Sequence, residues 1–157
     1  MSSKIERTLV LIKPDAFQRE LIGEIITAFE RKGLKIVGLK MKHLSDEILK
    51  EHYLHISDKP FFPEIQSFMS STPVICMAIE GCEAIDTVRE MSGVTLSRTA
   101  DTGSIRGRFA MSVQCNLIHT SDSKESASIE INRFFSENEL FEYNKITDVV
   151  IYSSNER

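Results

Sequence analysis

The chain has 157 residues, of which 41% are hydrophobic and 27% are charged; this is the composition of a folded globular protein and argues against disorder as its main state. Its formal net charge is −4, so a sequence-independent attraction for nucleic acid, which needs a basic surface, is not expected. The length fits one domain, and we expect a single domain over 1–157.

Cysteine spacing and hydropathy indicate the compartment. The cysteines Cys76, Cys82 and Cys115 are odd in number and form no CxxC pair, which argues against a disulfide framework or a zinc site. We interpret Cys76, inside an apolar run, as a small core residue. No stretch near the N-terminus is typical of a signal peptide, and no apolar run is long enough for a membrane span. We therefore expect a cytoplasmic protein.

The first half of the chain alternates apolar runs of strand character with segments of helical spacing. The run at 8–13 is almost wholly apolar and stops at Pro14, which predicts a central strand buried on both faces. Apolar residues at helical spacing predict a helix over 21–31, with Gly33 just past its end. The pattern continues with a strand at 34–41, a short helix capped by Ser45 or Asp46, and a helix over 61–69.

The second half repeats this alternation around a long polar stretch. It predicts a strand at 73–79, a helix at 83–91, a loop at 94–108, a strand at 113–119 and a helix that begins with a capping box of Asp122 and Glu125. The order β-α-β-(α-α)-β-α-β-α contains two βαβ-like halves. We therefore predict an α+β, ferredoxin-like fold, in which helices cover a four-stranded antiparallel sheet.

His119 is the histidine whose position suggests chemistry. It ends an apolar run and precedes Thr-Ser-Asp-Ser, where a helix begins. Unpaired N–H groups at a helix start favour phosphate, and a neutral imidazole can attack phosphorus through one ring nitrogen. A structural histidine is the alternative at this stage. The other histidines, His43, His52 and His55, are interpreted as surface or boundary residues.

A phosphate site would also need cations and an acceptor for the second ring nitrogen of His119. Glu130 follows in the next helix, but spacing alone does not decide whether it faces His119. Lys13, Arg89 and Arg106 could bind phosphate oxygens, although each alone is also typical of a solvated surface charge. The aromatic pair at 61–62 is usual for core packing and could instead stack on a nucleobase.

Six segments of the sequence resemble the nucleoside diphosphate kinase family, in the family's order and spacing from about Ile5 to Tyr152. They are ERTLVLIKPD at 6–15, LIGEI at 21–25, EHY at 51–53, KPFF at 59–62, SIRG at 104–107 and NLIHTSDS at 116–123. The resemblance implies a single domain with its core at about 5–152. It also implies ping-pong transfer of a γ-phosphate from a nucleoside triphosphate to a nucleoside diphosphate.

The resemblance also implies roles for individual residues. The phosphate would be carried on Nδ1 of His119, with Glu130 holding the other nitrogen and Ser121 supporting Glu130. ATP, GTP and other nucleotides would be substrates, and Mg²⁺ would be bound through their phosphates, with no metal ligands from the protein. The remaining matches are Lys13, Arg89, Thr95, Arg106 and Asn116 for phosphates and ribose, Tyr53 beside the histidine, and Phe61 and Val113 around the base.

Four positions depart from the family's usual pattern. Thr120 stands where glycine or alanine is common, and His55 stands where an acidic residue is common. Ser97 replaces a proline in the loop that builds subunit contacts, and Arg108 replaces an aspartate. Family members are usually homo-oligomers, hexamers or tetramers built from a common dimer, and the altered loop leaves both open.

Two other functions compete with this interpretation. A nucleotide-binding regulatory or scaffold relative would keep the fold but lose the nucleophile or its carboxylate, and this chain has both. A ferredoxin-like sheet that binds RNA would show aromatic residues on its strands and a basic surface. Neither feature is present in the sequence. No nucleic acid and no membrane is expected to be required.

Overall fold

A computed structural model describes residues 4–156. Four strands form one antiparallel sheet in the order β2-β3-β1-β4, which confirms the predicted ferredoxin-like fold. The strands are β1 (Ile5–Ile12), β2 (Lys35–Lys42), β3 (Val74–Cys82) and β4 (Ile118–Thr120). The helices are α1 (Pro14–Gln18), α2 (Ile22–Lys32), α3 (Asp46–His52), α4 (Phe62–Met69), α5 (Ala84–Ser92), α6 (Ile105–Phe109), α7 (Lys124–Phe134) and α8 (Asp148–Ile151).

The central strand β1 divides the interior into two cores. Because side chains alternate along a strand, Val10 and Ile12 belong to the core beneath α2 and α5, whereas Leu9 and Leu11 belong to the core beneath α3, α4 and α7. All four side chains are completely buried, and each such burial contributes about 1.5–3 kcal/mol. The end of β1 is therefore a rigid platform, and Lys13 follows it directly.

Several local predictions are confirmed. The chain leaves α2 through Gly33, which has a φ of 100° that glycine adopts without strain. The hydroxyl of Ser45 accepts a hydrogen bond from the backbone N–H of Ile48 at 3.3 Å, so Ser45 caps α3. Cys76 is fully buried in β3.

The predicted strand at 113–119 was wrong in its extent, because only Ile118–Thr120 pairs with β1. The segment before it is a turn, in which the hydroxyl of Ser112 accepts hydrogen bonds from the backbone N–H groups of Gln114 and Cys115. Such local side-chain bonds compete with strand pairing. Leu117 then adopts a φ of 75°, which interrupts extended backbone.

Two further predictions need correction. The N-cap of α7 is Ser123, whose hydroxyl accepts from the N–H of Ser126 at 3.1 Å, and not the predicted capping box of Asp122 and Glu125. The predicted loop at 94–108 contains a 3₁₀ turn at Ser97–Thr99 and most of α6.

Helix α1, which was not predicted, begins at Pro14, where the missing N–H and fixed φ of proline suit a first helical position. Within residues 4–156 no helix is both long and apolar enough to cross a bilayer.

Close packing under α6 gives a stability prediction for a matched pair of glycines. A Cβ added at Gly107 would lie 1.9 Å from the backbone oxygen of Asp101, whereas one at Gly103 would meet only a side-chain oxygen of Asp101 at 3.1 Å. Gly107→Ala should therefore lower the free energy of unfolding by at least ~2 kcal/mol, and the melting temperature by at least ~4 °C. Gly103→Ala should stay within ~1 kcal/mol of wild type. Urea and thermal unfolding measure both, and equal stability of the two variants would contradict the described packing.

Candidate active site

A cleft of about 1240 Å³ opens beside the ends of β1 and β4. Its walls come from the end of α3, from α5, from α7 and from the segment that precedes and includes α6. The sequence-predicted site residues that line it are Lys13, Tyr53, Arg89, Thr95, Arg106, Asn116, His119 and Glu130.

His119, Glu130 and Ser121 form a chain of hydrogen bonds at the base of the cleft. Nε2 of His119 lies 3.0 Å from Oε2 of Glu130, and the Ser121 hydroxyl donates to the same oxygen at 2.6 Å. Ser121 is fully buried, and its hydroxyl also accepts from the backbone N–H of Leu9 at 3.3 Å. The carboxylate is thus fixed to the central strand of the sheet.

The protonation of this chain follows from its partners. Burial acts to raise the pKa of Glu130, but the hydrogen bonds from His119 and Ser121 outweigh it and hold the pKa below its ordinary value. A carboxylate only accepts, so Nε2 of His119 is the nitrogen that carries the proton. The lone pair for attack therefore lies on Nδ1 when the ring is neutral.

Secondary structure sets the position of these three side chains. His119 pairs with Leu11 across β1 and β4, and Ser121 follows at the end of the strand, where its N–H donates to the carbonyl of Leu9. Ser123 begins α7, and Glu130 lies about two turns later, on the side of the helix that faces the sheet. A carboxylate of Asp15 accepts from the N–H of Leu117 at 3.0 Å and holds the turn that leads into β4.

Lys13 is a half-buried cation whose amine donates to a neutral side chain. Its Nζ donates to Oδ1 of Asn116 at 2.7 Å, and the amide of Asn116 donates to the carbonyl of Val113 at 2.8 Å. Burial, followed by the nearby charge of Arg106, lowers the pKa of Lys13 to about 8. An incoming anion would relieve this unfavourable environment.

Arg106 ties the cleft wall together. Its guanidinium donates to three backbone carbonyls, those of Gly93, Asn116 and Ile118, at 2.7, 3.2 and 2.6 Å. Burial and the charge of Arg89 lower the pKa of Arg106 to about 10. Carbonyls do not neutralise a cation, so Lys13, Arg89 and Arg106 leave the cleft with positive charge available to phosphate.

The two residues predicted to hold the base lie outside the lining of the cleft. Phe61 and Val113 are 48% and 52% exposed, and neither belongs to the cleft wall. A long hydrogen bond joins the segments that carry Phe61 and Val113: the side-chain amide of Gln114 donates to the carbonyl of Glu64 at 3.5 Å. Two exposed apolar side chains on adjoining segments are an accessible platform for an aromatic ring.

The prediction that His52 is a surface or boundary residue was wrong. His52 is 6% exposed and its ring packs edge-on against His119, with centroids 4.4 Å apart. Arg133, which was not predicted to belong to the site, also lines the cleft and donates to Nδ1 of His52 at 3.2 Å. The available signal was spacing, since His52 lies three residues after the buried Leu49 on the same face of α3.

Of the four departures from the family pattern, two line the cleft. Thr120 is half-buried in β4 and lines the cleft, as does the exposed His55. Ser97 is buried, and its hydroxyl donates to the carbonyl of Ser112 at 2.7 Å, which joins the two loops. Arg108 points away toward Glu24, at 3.9 Å. None of the four replaces a member of the His119 hydrogen-bond chain.

Comparison with known proteins connects this geometry to a family. A family profile described as nucleoside diphosphate kinase matches residues 6–140. The nucleoside diphosphate kinase of Parabacteroides distasonis is 50% identical over 152 residues, which are 97% of this chain and 99% of that protein. That of Pyrococcus abyssi is 50% identical over 146 residues, covering 91% of this chain and 92% of the relative.

Solved structures show the same likeness. A halophilic nucleoside diphosphate kinase from Halobacterium salinarum in complex with CDP superposes with a TM-score of 0.91 at 41% identity, covering 94% of this chain and 99% of that one. A nucleoside diphosphate kinase family protein from Babesia bovis gives a TM-score of 0.90 at 39% identity, with the same coverage of both chains.

The buried environment of Lys13 gives a titration prediction. Its amine should lose its proton with a midpoint near pH 8, whereas solvated lysines titrate near ~10.4. NMR of the lysine side chains against pH measures this, and Lys13→Arg should remove the one early-titrating signal. If every lysine titrated above pH ~10, the described desolvation of Lys13 would be contradicted.

Proposed function

This chain belongs to the nucleoside diphosphate kinase family and is an enzyme that transfers phosphate between nucleotides; from this premise we propose that His119 carries the phosphoryl group. The observation that carries the proposal is the hydrogen bond from Nε2 of His119 to Glu130, at 3.0 Å, inside a cleft lined by cations. It leaves Nδ1 as the nucleophilic nitrogen.

The reaction then has two displacements at phosphorus. In the first, the Nδ1 lone pair forms a bond to the γ-phosphorus of a nucleoside triphosphate while the bond to the bridging oxygen breaks, and the nucleoside diphosphate leaves with that electron pair. In the second, a terminal oxygen of another nucleoside diphosphate attacks the same phosphorus and the N–P bond breaks. His119 returns to its starting state, so the sequence is ping-pong.

Glu130 and Ser121 act through His119. A ring that forms a bond at Nδ1 while Nε2 keeps its proton becomes cationic, and the Glu130 carboxylate stabilises that charge. Ser121 holds Glu130 by a 2.6 Å hydrogen bond, so the carboxylate need not reorient during the reaction. The pair therefore supplies orientation and charge stabilisation and does not itself touch the substrate.

The cationic side chains would receive the polyphosphate. Lys13, Arg89 and Arg106 supply positive charge, and phosphoryl transfer depends mainly on such positioning and charge neutralisation. The other polar residues of the cleft wall that we assign to nucleotide contacts are Thr95 and Asn116, with Tyr53 beside the histidine pair. Phe61 and Val113 would hold the base between apolar faces. Such stacking does not read hydrogen-bonding edges, which fits ATP, GTP and other nucleotides alike.

We propose Mg²⁺ as the divalent cofactor, carried by the nucleotide. In the part of the chain that is described, the one cluster of three potential ligands is His52, His119 and Glu130, and these side chains are already engaged with one another. Mg²⁺ prefers oxygen ligands and often binds through substrate phosphates, so the residues fit a metal that arrives on the polyphosphate. When bound, it would neutralise charge on the transferring group.

We further propose a homo-oligomer, a hexamer or a tetramer of dimers, in the cytoplasm. The edge strand β2 exposes Leu39 and Met41 to 52% and 62%, and α8 exposes Val149 and Val150 to 63% and 81%. An exposed strand edge with apolar side chains favours pairing with another copy.

The retained His119–Glu130 bond disfavours the alternative of a scaffold relative with little activity.

Phosphoenzyme formation tests the proposal. Incubation with γ-labelled ATP and Mg²⁺ should label wild type with an acid-labile, base-stable phosphate, and His119→Ala should remove label and exchange activity without loss of folding. Glu130→Gln should slow phosphorylation by ~10²-fold or more with little effect on nucleotide affinity. The matched controls are His43→Ala and Glu125→Gln, both exposed, which should behave as wild type. A labelled His119→Ala variant would exclude His119 as the carrier.

A further inference from the structure

His52 is a buried polar side chain in direct contact with the proposed nucleophile. It is the last residue of α3, and its ring contacts His119 at a centroid distance of 4.4 Å with the two planes 78° apart. The same ring also packs edge-on against Phe134, with centroids 5.2 Å apart. These contacts fix the orientation of the ring and the position of its atoms that face the cleft.

Arg133 sets the tautomer of His52. Its Nη1 lies 3.2 Å from Nδ1 of His52, and its Nε donates to Glu51 at 2.9 Å. A guanidinium only donates hydrogen bonds, so Nδ1 of His52 must accept, and the ring proton is on Nε2. Burial, together with the charge of His119, lowers the pKa of His52 to about 3. The ring is therefore neutral at physiological pH.

The Nε2–H of His52 has no hydrogen-bond partner within residues 4–156. A buried donor without an acceptor costs free energy, and such groups in folded proteins often mark a functional contact. A ring nitrogen of each histidine and a carboxylate oxygen of Glu130 lie within 4.8 Å of one another. The two histidine rings are also in contact and both line the cleft, so a phosphoryl group on His119 would bring anionic oxygens close to the His52 ring.

We propose that His52 is a further catalytic residue, whose Nε2–H donates a hydrogen bond to an oxygen of the phosphoryl group as it is transferred to and from His119. The proposal rests on the proposed function of His119. The donor is unpaired in the free enzyme and gains its acceptor only when phosphate is in place, so the contact favours the reacting state over the resting one. Arg133 is a positioning residue that keeps the proton on Nε2.

His52, His119 and Glu130 are side-chain types that can bind a transition metal, but the tautomer of His52 disfavours metal binding. A metal on Nε2 of His52 would displace the ring proton to Nδ1. That proton would then face Nη1 of Arg133, which is itself a donor. Two hydrogen-bond donors, one from His52 and one from Arg133, would then face each other in a buried position. Binding of a phosphoryl oxygen at Nε2–H requires no change of tautomer.

The experiment compares His52→Gln with His52→Phe by rapid-quench measurement of phosphorylation from ATP. Glutamine can accept from Arg133 and still donate with its amide nitrogen, whereas phenylalanine keeps the volume and removes the donor. His52→Phe should slow phosphorylation by ~10- to 100-fold with a melting temperature close to that of wild type, because removal of the unsatisfied Nε2–H offsets loss of the acceptor for Arg133. His52→Gln should stay within about fivefold of wild type, and the exposed His43→Phe is the control.

NMR of ¹⁵N-histidine-labelled wild type supplies a second readout that needs no variant. The Nε2–H proton of His52 should move downfield when His119 is phosphorylated, as expected for a new bond to an anionic oxygen. A His52→Phe enzyme as fast as wild type, equal losses in both variants, or an unmoved proton signal would each overturn the proposal. Failure of wild type to form any phosphoenzyme would instead refute the proposed role of His119.

Discussion

The hydrogen bond between Nε2 of His119 and Oε2 of Glu130 is the interaction on which the proposed mechanism depends. An imidazole has two similar nitrogens, and only a partner that accepts from one of them makes the other a defined nucleophile. Glu130 can do this because Ser121 holds the same carboxylate oxygen, and Ser121 is itself anchored to Leu9 in the central strand. In the proposed mechanism the sheet thus fixes which ring nitrogen attacks.

The cations near the hydrogen-bonded residues His119, Glu130 and Ser121 have neutral partners. Arg106 donates to three backbone carbonyls, so it holds the cleft wall in shape and keeps its full charge. Lys13 is half-buried at the end of β1, where desolvation of its amine and the charge of Arg106 both disfavour its charged form. A site that holds cations in unfavourable surroundings binds polyphosphate strongly, because the anion relieves the repulsion that folding imposes. In its proposed role His52 adds a neutral donor, whose unpaired N–H would likewise gain a partner when phosphate binds.

Much of the fold was predictable because it follows local patterns. The apolar run at 8–13 and the helix ended by Gly33 agree with the structure, since burial period and glycine chemistry are local signals. The extent of β4 was not, because local hydrogen bonds to the Ser112 hydroxyl compete with strand pairing, and Leu117, with its positive φ, donates a tertiary hydrogen bond to Asp15. Residue spacing singled out His119 and Glu130 but left their contact open, and only the family resemblance implied it. It missed His52, whose burial depends on how α3 packs against β4 and α7.

The position of the N–P bond tests the central claim most directly. After phosphorylation by ATP, a ¹H–³¹P correlation NMR spectrum of the isolated phosphoenzyme identifies which ring nitrogen of His119 bears phosphorus. Because Glu130 holds Nε2, the phosphorus should be found on Nδ1 alone, with Nε2 still protonated. Phosphorus on Nε2, or a mixture of both isomers, would contradict the view that the Ser121–Glu130 pair selects the nucleophile.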